Sequence, residues 1–315
     1  MDIPKISVIM ACYKEPINWL AEAIDSILNQ TMDDFEFIIV VDDPLNTELI
    51  SVLQKYTLKD NRINVIVNTH NVGLAQSLNN GINASKSPII CRMDADDIAD
   101  KERFKLQYEY LENNQHIDLV GSSIYKINEN GNVIATKQYW NNMQLIQKII
   151  PFCSVTCHPT WMFRKSLYEK INGYNDLFTA QDYDFLYRAL DAKANIGNLE
   201  QPLLKYRVHQ QSITGGFSLK RYKVRQYIHK MHADRTINGN YTFSKSELNR
   251  LVAGAESSNK VMSTLNTLRH KENINIINKA YYYMSLFIHS PDIRQRIFDH
   301  IRLKFILLTY RAFNK

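Results

Sequence analysis

From Ile6 to Met93 the chain alternates short apolar runs with segments of helical spacing, and this alternation constrains its fold more than any other feature. Ile6 to Ala11, Phe35 to Val41, Ile63 to Asn68 and Ile89 to Met93 read as strands. Asn18 to Gln30, Thr47 to Tyr56 and Leu74 to Asn83 read as helices. The first of them carries Leu20, Ala23, Ile24, Ile27 and Leu28 on one face. Strands joined through helices pair in parallel, which predicts a sheet with helices on both faces. Ligands of such sheets gather beyond the carboxyl ends of the strands. Cys12-Tyr13-Lys14-Glu15, Asp42-Asp43, Asn71 and Asp94-Asp96-Asp97 all fall at those ends.

The last of these groups carries the most chemistry. Carboxylates crowded at one strand end repel one another, and a hard divalent cation between them relieves the repulsion while taking further oxygens from a diphosphate. Asp94, Asp96 and Asp97 therefore point to a metal–diphosphate site. The same acids also suit a solvated turn that caps the helix opening near Lys101. Arg92 either reaches a phosphate or pairs with the acids beside it.

Beyond Lys101 the pattern changes. Arg103 to Leu111 and Met143 to Ile150 read as helices, and Leu119 to Asn128 with Val133 to Gln138 as a hairpin turning at Asn130-Gly131. Thr160 to Phe163 and Leu203 to Val208 read as strands, Lys165 to Lys170 and Asp182 to Lys193 as helices. Past about Gly216 the chain turns basic and helical, with Lys220, Arg221, Lys223, Arg225 and Lys230 close together, and a domain boundary is expected there.

Composition sets wider limits. The 315 residues are 45% hydrophobic and 22% charged, enough for a sizeable core. A net charge of +6 suits anionic partners without choosing among them. Cys12 and Cys91 lie in strand-like runs, as expected of reduced buried thiols in a cytoplasmic protein. Cys153 and Cys157 with His158 lack a second pair of soft ligands at zinc spacing. The start of the chain lacks the pattern of a signal peptide, and no segment has the apolar length of a spanning helix. Ala11-Cys12-Tyr13-Lys14-Glu15-Pro16 contains no glycine, which disfavours a nucleotidyltransferase or a dinucleotide oxidoreductase. No nucleic-acid-binding module is recognisable, so nucleic acid is not an expected partner.

Seven segments in order resemble family 2 glycosyltransferases of the GT-A fold, over roughly the first two thirds of the chain. They are Ser7 to Tyr13, Phe35 to Asp42, Asn71 to Ala75, Arg92 to Asp97, His158 to Thr160, Gln181 to Asp184 and Tyr206 to His209. The likeness is nearest to bacterial enzymes of surface-polysaccharide assembly. It implies an α/β fold with a GT-A (Rossmann-like), mostly parallel sheet flanked by helices, and a C-terminal helical extension. The implied domains are a catalytic one over 1–215 and a basic helical region over 216–315. Within the catalytic domain, about 1–100 would bind nucleotide and about 101–215 acceptor. The resemblance implies an inverting transferase that moves a hexose from a UDP-sugar with Mn2+ or Mg2+. The alternative is a non-catalytic UDP-sugar-binding or scaffold subunit of the same pathway.

By the same resemblance, Ala11 and Tyr13 border the uracil and Asp42 accepts its N–H. Asn71, Arg92, Asp94, Asp96 and Arg207 contact the nucleotide-sugar, and Asp94, Asp96, Asp97 and His209 supply metal ligands. Asp182 is the implied base, with Gln181 standing where the family usually has Glu. His158 and Gln181 are acceptor-side candidates. Asp43-Pro44-Leu45 departs from the Gly-Ser that usually follows the aspartate. Trp140 and Trp161 suit either a sugar platform or the core. The acceptor is expected on a polyprenyl-diphosphate lipid. The amphipathic stretches Ile274 to His289 and Ile297 to Phe313 suit peripheral contact with an anionic membrane at its inner, cytoplasmic face, or packing on the catalytic domain.

Overall fold

The structure is a computed structural model, and it describes residues 3–209, 219–239, 243–256 and 291–313. In chain order the elements are β1 (Ile6–Cys12), α1 (Ile17–Leu28), β2 (Phe35–Val41), α2 (Thr47–Lys59), β3 (Ile63–Val67), α3 (Leu74–Ala84), β4 (Ile89–Asp94) and β5 (Ile98–Ala99). They continue as α4 (Arg103–Asn113), β6 (Leu119–Ile127), β7 (Val133–Lys137), α5 (Met143–Ile149), a 3₁₀ turn (His158–Thr160), β8 (Met162–Arg164), α6 (Lys165–Lys170), α7 (Gln181–Asp191) and β9 (Ile196–Arg207). Three further helices follow: α8 (Leu219–Asn238), α9 (Lys245–Glu256) and α10 (Pro291–Phe313). The chain forms two compact units, one of residues 1–147 and 154–215, the other of 148–153 and 216–315.

The first unit is built on one sheet in the order β3-β2-β1-β4-β8-β6-β9-β5, with β7 paired to β6. β1, β2, β3 and β4 pair in parallel, and each strand end is level with its neighbours. Ala11 lies opposite Val40 on one side and Asp94 on the other. This register gathers Tyr13, Asp42 and the Asp94 acids along one edge. β2 is buried on both faces, which is why it reads Phe-Glu-Phe-Ile-Ile-Val-Val with little alternation. α1 turns Leu20, Ala23, Ile24 and Ile27 into the core. α3 crosses the sheet at Gly81, where an added Cβ would stand 2.7 Å from the Ile9 methyl.

Past β4 the sheet becomes mixed. β8 joins β4 and β6 antiparallel, β6 and β9 are parallel, and β5 closes antiparallel on β9. Two strands start away from where the sequence reading places them, and one short strand was not expected. Pro159 sits in the first turn of a 3₁₀ segment, so the strand expected from Thr160 begins at Met162. β9 begins at Ile196, well before Leu203. Asn198 secures the early part by donating to the Trp140 and Val155 carbonyls, and the register shifts between Leu199 and Pro202. β5, of two residues, is too short to show a period.

In the second unit α8 packs on α9 through Val224, Tyr227, Ile228, Met231, Leu248 and Val252, all buried. The Tyr227 hydroxyl donates to the Ser244 carbonyl and accepts its N–H at 3.1 and 2.9 Å. Lys230 pairs with Glu247 at 2.6 Å. Ile274 to His289 lies outside the described residues. Among the described residues no helix is long and apolar enough to cross a membrane.

Candidate active site

At the β1–β2 edge, Tyr13 stands at the surface with the Lys14 ammonium 4.7 Å from its ring. Ala11 is half-buried beside Asp94. Asp42 is buried and accepts hydrogen bonds from the Asn68 amide and the Val72 and Gly73 N–H groups, at 2.8–2.9 Å. It thereby anchors the loop that opens α3, where Gly73 holds φ +84°. The exposed Asn71 donates to the Asp42 carbonyl. A carboxylate has about four acceptor sites, so one remains on Asp42 for another donor.

At the end of β4, Asp94, Asp96 and Asp97 bring a carboxylate oxygen each to within 4.8 Å of one another, the one such potential metal-binding cluster among the described residues. Arg92, buried beneath them, pairs with Asp94, and its Nε and Nη1 have no hydrogen-bond partner. Asp97 is fully buried. Its Oδ1 accepts the Arg207 N–H at 2.8 Å, and Oδ2 has no partner. Burial, reinforced by repulsion from Asp96 and Asp94, pushes the Asp97 carboxyl well above the usual range. Burial and Asp94 likewise raise Asp96, against the pull of His209. His209 Nε2 lies 3.1 Å from Asp96 Oδ2. Oxygen donors with one imidazole suit Mg2+ or Mn2+, and a buried carboxylate oxygen without a partner is what a cation would satisfy, so these residues fit such an ion.

Arg207, expected to contact the nucleotide-sugar, is engaged within the protein. It is 1% exposed. Its guanidinium donates to the Asp96, Asn128 and Glu129 carbonyls and pairs with Glu22. Arg207 is a bracket that holds the acidic turn against α1, with four of its five guanidinium N–H groups used inside the protein. Two residues of this region, Trp19 and Glu22, carried no signal alone in the sequence. Trp19 packs its ring 5.1 Å from that of His209 and lies under the Arg207 guanidinium. Glu22 meets Arg207. Glu15 accepts the Tyr13 N–H at 2.7 Å, and its carboxyl is raised by burial and by Asp96 and Asp94. Trp19 and Glu22 share one face of α1, an i, i+3 pair next to the β1 loop, and that spacing was the available clue.

Asp182 is half-buried in the first turn of α7 with Gln181 before it. Ala180 precedes them at φ 60°, in left-handed backbone that costs a non-glycine residue energy. The buried Tyr139 and Tyr174 hydroxyls both feel the Asp182 charge. Tyr174 also feels Arg92, which pairs with Asp94. Tyr139 meets Cys157, whose thiol is pushed up to about 12 by burial and by Asp97 and Asp94. Tyr139 and Tyr174 thus each neighbour Asp182 and also a residue, Cys157 or Arg92, that feels the acidic turn. Asp184 is the structural acid of α7. Its Oδ2 pairs with Arg188 at 2.7 Å, and Arg188 caps the Ile171 and Gly173 carbonyls. Trp161 is fully buried against Phe185 and His158, a core residue.

His158 is buried, with Nε2 2.9 Å from the Tyr174 hydroxyl. Burial first, then Arg92, holds its pKa well below 6.5. The folded protein therefore keeps a neutral imidazole where the unfolded chain takes a proton. This contribution to stability is complete above pH 6.5 and is lost as pH falls through 6.5 toward the folded pKa. Between pH 7.5 and 5.5 it is on the order of 1 kcal/mol. Urea unfolding at the two pH values should show His158→Gln losing that much less than the parent. Equal losses would contradict a neutral buried His158.

Comparison with known proteins agrees with this geometry. Residues 7–172 match the family described as Glycosyl transferase family 2. The chain is 37% identical over 248 residues to the O-antigen biosynthesis glycosyltransferase WbnJ of Escherichia coli, covering 76% of this chain and 96% of that one. It is 29% identical over 214 residues to the UDP-Gal:alpha-D-GlcNAc-diphosphoundecaprenol beta-1,3-galactosyltransferase of Escherichia coli, covering 67% and 77%. S. aureus TarS 1-349, solved in complex with UDP-GlcNAc, superposes with a TM-score of 0.62 at 16% identity, covering 98% of this chain and 92% of that one. TarS and its neighbours share the GT-A architecture, an α/β sheet flanked by helices. Strand-end acids, a level parallel edge and the family match over more than half its length lead to one conclusion: the chain belongs to glycosyl transferase family 2.

Proposed function

We propose that the protein is an inverting, metal-dependent hexosyltransferase that uses a UDP-sugar and glycosylates a saccharide carried on polyprenyl diphosphate, in assembly of O-antigen, capsule or exopolysaccharide. The observation that carries this reading is the cluster of three carboxylates at the β4 edge beside His209. The printed names of the Escherichia coli relatives and the TarS complex support the donor and acceptor classes.

Residues 1–100 would hold the nucleotide and 101–215 the acceptor. Tyr13 stacks on the base, Ala11 borders it and Asp42 offers its remaining acceptor site to a base N–H. Asn71 shapes the adjoining loop. Asp94, Asp96, Asp97 and His209 would hold Mg2+ or Mn2+, and the bound ion supplies electrostatic stabilisation of the leaving diphosphate. Arg92 fixes Asp94. Asp182 takes the proton of the acceptor hydroxyl as its oxygen bonds to the anomeric carbon, and the bond from that carbon to the diphosphate breaks on the opposite face. Gln181 and the His158–Tyr174 pair support the acceptor side. The protein works at the inner face of the membrane that carries the lipid-linked acceptor.

The test is a screen of UDP-sugars with a synthetic polyprenyl-diphosphate saccharide, reading UDP release with and without Mn2+. One UDP-sugar should give metal-dependent release and an inverted linkage. Release from none, or a retained anomeric configuration, would overturn the proposal.

A further inference from the structure

α10 presents apolar residues on two sides. Leu303, Ile306, Leu307 and Tyr310 are half-buried. Ile301, Phe305 and Leu308 are 55%, 67% and 63% exposed. Spaced i, i+4 and i+7, these three form one outward stripe. At about 100° per residue, Arg302 falls on one flank of the stripe and Lys304 and Arg311 on the other. All three cations are exposed. From His300 to the end of the chain there are four Lys and Arg residues and no acid.

The basic cluster of α8 is partly engaged within its own unit. Arg225 donates to the Phe152 carbonyl and Lys230 pairs with Glu247. A helix with an open apolar stripe flanked by cations on both sides suits the boundary between headgroups and acyl chains of an anionic bilayer. The stripe enters the acyl region and the cations meet lipid phosphates. A second copy of the helix fits poorly, because two such faces would bring cations against cations.

We infer that the Ile301–Phe305–Leu308 face of α10 is a membrane-docking surface that lies in the plane of an anionic bilayer. The inference rests on the proposed use of a lipid-linked acceptor and names the surface by which the protein meets that lipid's membrane.

The experiment is co-sedimentation of the full chain with vesicles of about one part phosphatidylglycerol to two parts phosphatidylcholine, and with phosphatidylcholine alone. The parent should sediment with the anionic vesicles and at least about tenfold less with the neutral ones. Phe305→Ser with Leu308→Ser should lower anionic binding about tenfold or more. Because that pair can disturb folding, Arg302→Glu, Lys304→Glu and Arg311→Glu form a second variant, at exposed positions, with the same expected loss. Metal-dependent UDP release with a water-soluble acceptor should be unchanged in both, and this arm judges the transferase reading independently of lipid. Failure of the parent to bind vesicles, or parent-like binding by both variants, would overturn the surface assignment. So would a parent dimer in sedimentation velocity that becomes monomeric in the stripe variant, since the occupant would then be a second copy.

Discussion

Asp182→Asn should lower kcat by about a thousandfold, within the range expected for loss of a general base, while binding of UDP and metal persists. Asparagine keeps the size and one acceptor oxygen but cannot take a proton at neutral pH. Asp182 lies in the first turn of α7, where it also meets the positive end of the helix. A merely structural acid there would contribute stability instead, and its loss would leave turnover intact. Asp184 supplies the contrast. It is fully buried and paired with Arg188, so Asp184→Asn should lower the melting temperature more than Asp182→Asn does. Steady-state kinetics and thermal melts on the two variants check both statements. Full activity in Asp182→Asn would contradict the assigned base.

Asp96→Asn should lower kcat/KM by about a hundredfold to a thousandfold and weaken Mn2+ binding, because charge stabilisation worth several kcal/mol is removed from the leaving group. The same substitution should raise the stability of the metal-free protein. The Asp97 carboxyl is lifted first by burial and then by repulsion from Asp96 and Asp94. Removing the Asp96 charge relieves that repulsion. A raised carboxyl pKa in the folded state means stability falls as pH rises through the interval between the unfolded and folded values. That decline should be smaller in Asp96→Asn. Kinetics with varied Mn2+ and unfolding in chelator read the opposite directions expected for activity and stability. Lower stability together with unchanged metal binding would contradict the assignment.

The parallel half of the sheet was legible because each of β1 to β4 is a compact apolar run closed by polar residues. The level edge then places Tyr13, Asp42 and Asp94 together without further information. β9 was half legible. Gly197, Asn198 and Pro202 look like loop residues, and the bonds from Asn198 to Trp140 and Val155 join segments far apart in sequence. The burial of Arg207 was not legible for a related reason. Tyr206-Arg207-Val208-His209 at a strand end suggests exposure, but carbonyls from the β6–β7 turn and Glu22 from α1 converge on its side chain. Trp19 and Glu22 gain meaning only once α1 lies against the acidic turn. The pairing of Asp184 with Arg188 was open to an i, i+4 reading. The burial that makes it structural was not, since it depends on Asn175 and the Ile171 and Gly173 carbonyls.

The central claim is that one set of acids grips a diphosphate through a cation while another, Asp182, is left to take a proton. Calorimetric titration of UDP, with and without Mn2+, into the parent, Asp96→Asn and Asp182→Asn tests it most directly. The account predicts Mn2+-dependent UDP binding in the parent, the same in Asp182→Asn, and loss of the Mn2+ enhancement in Asp96→Asn. Equal UDP affinity in all three with and without Mn2+, or loss in Asp182→Asn alone, would contradict it.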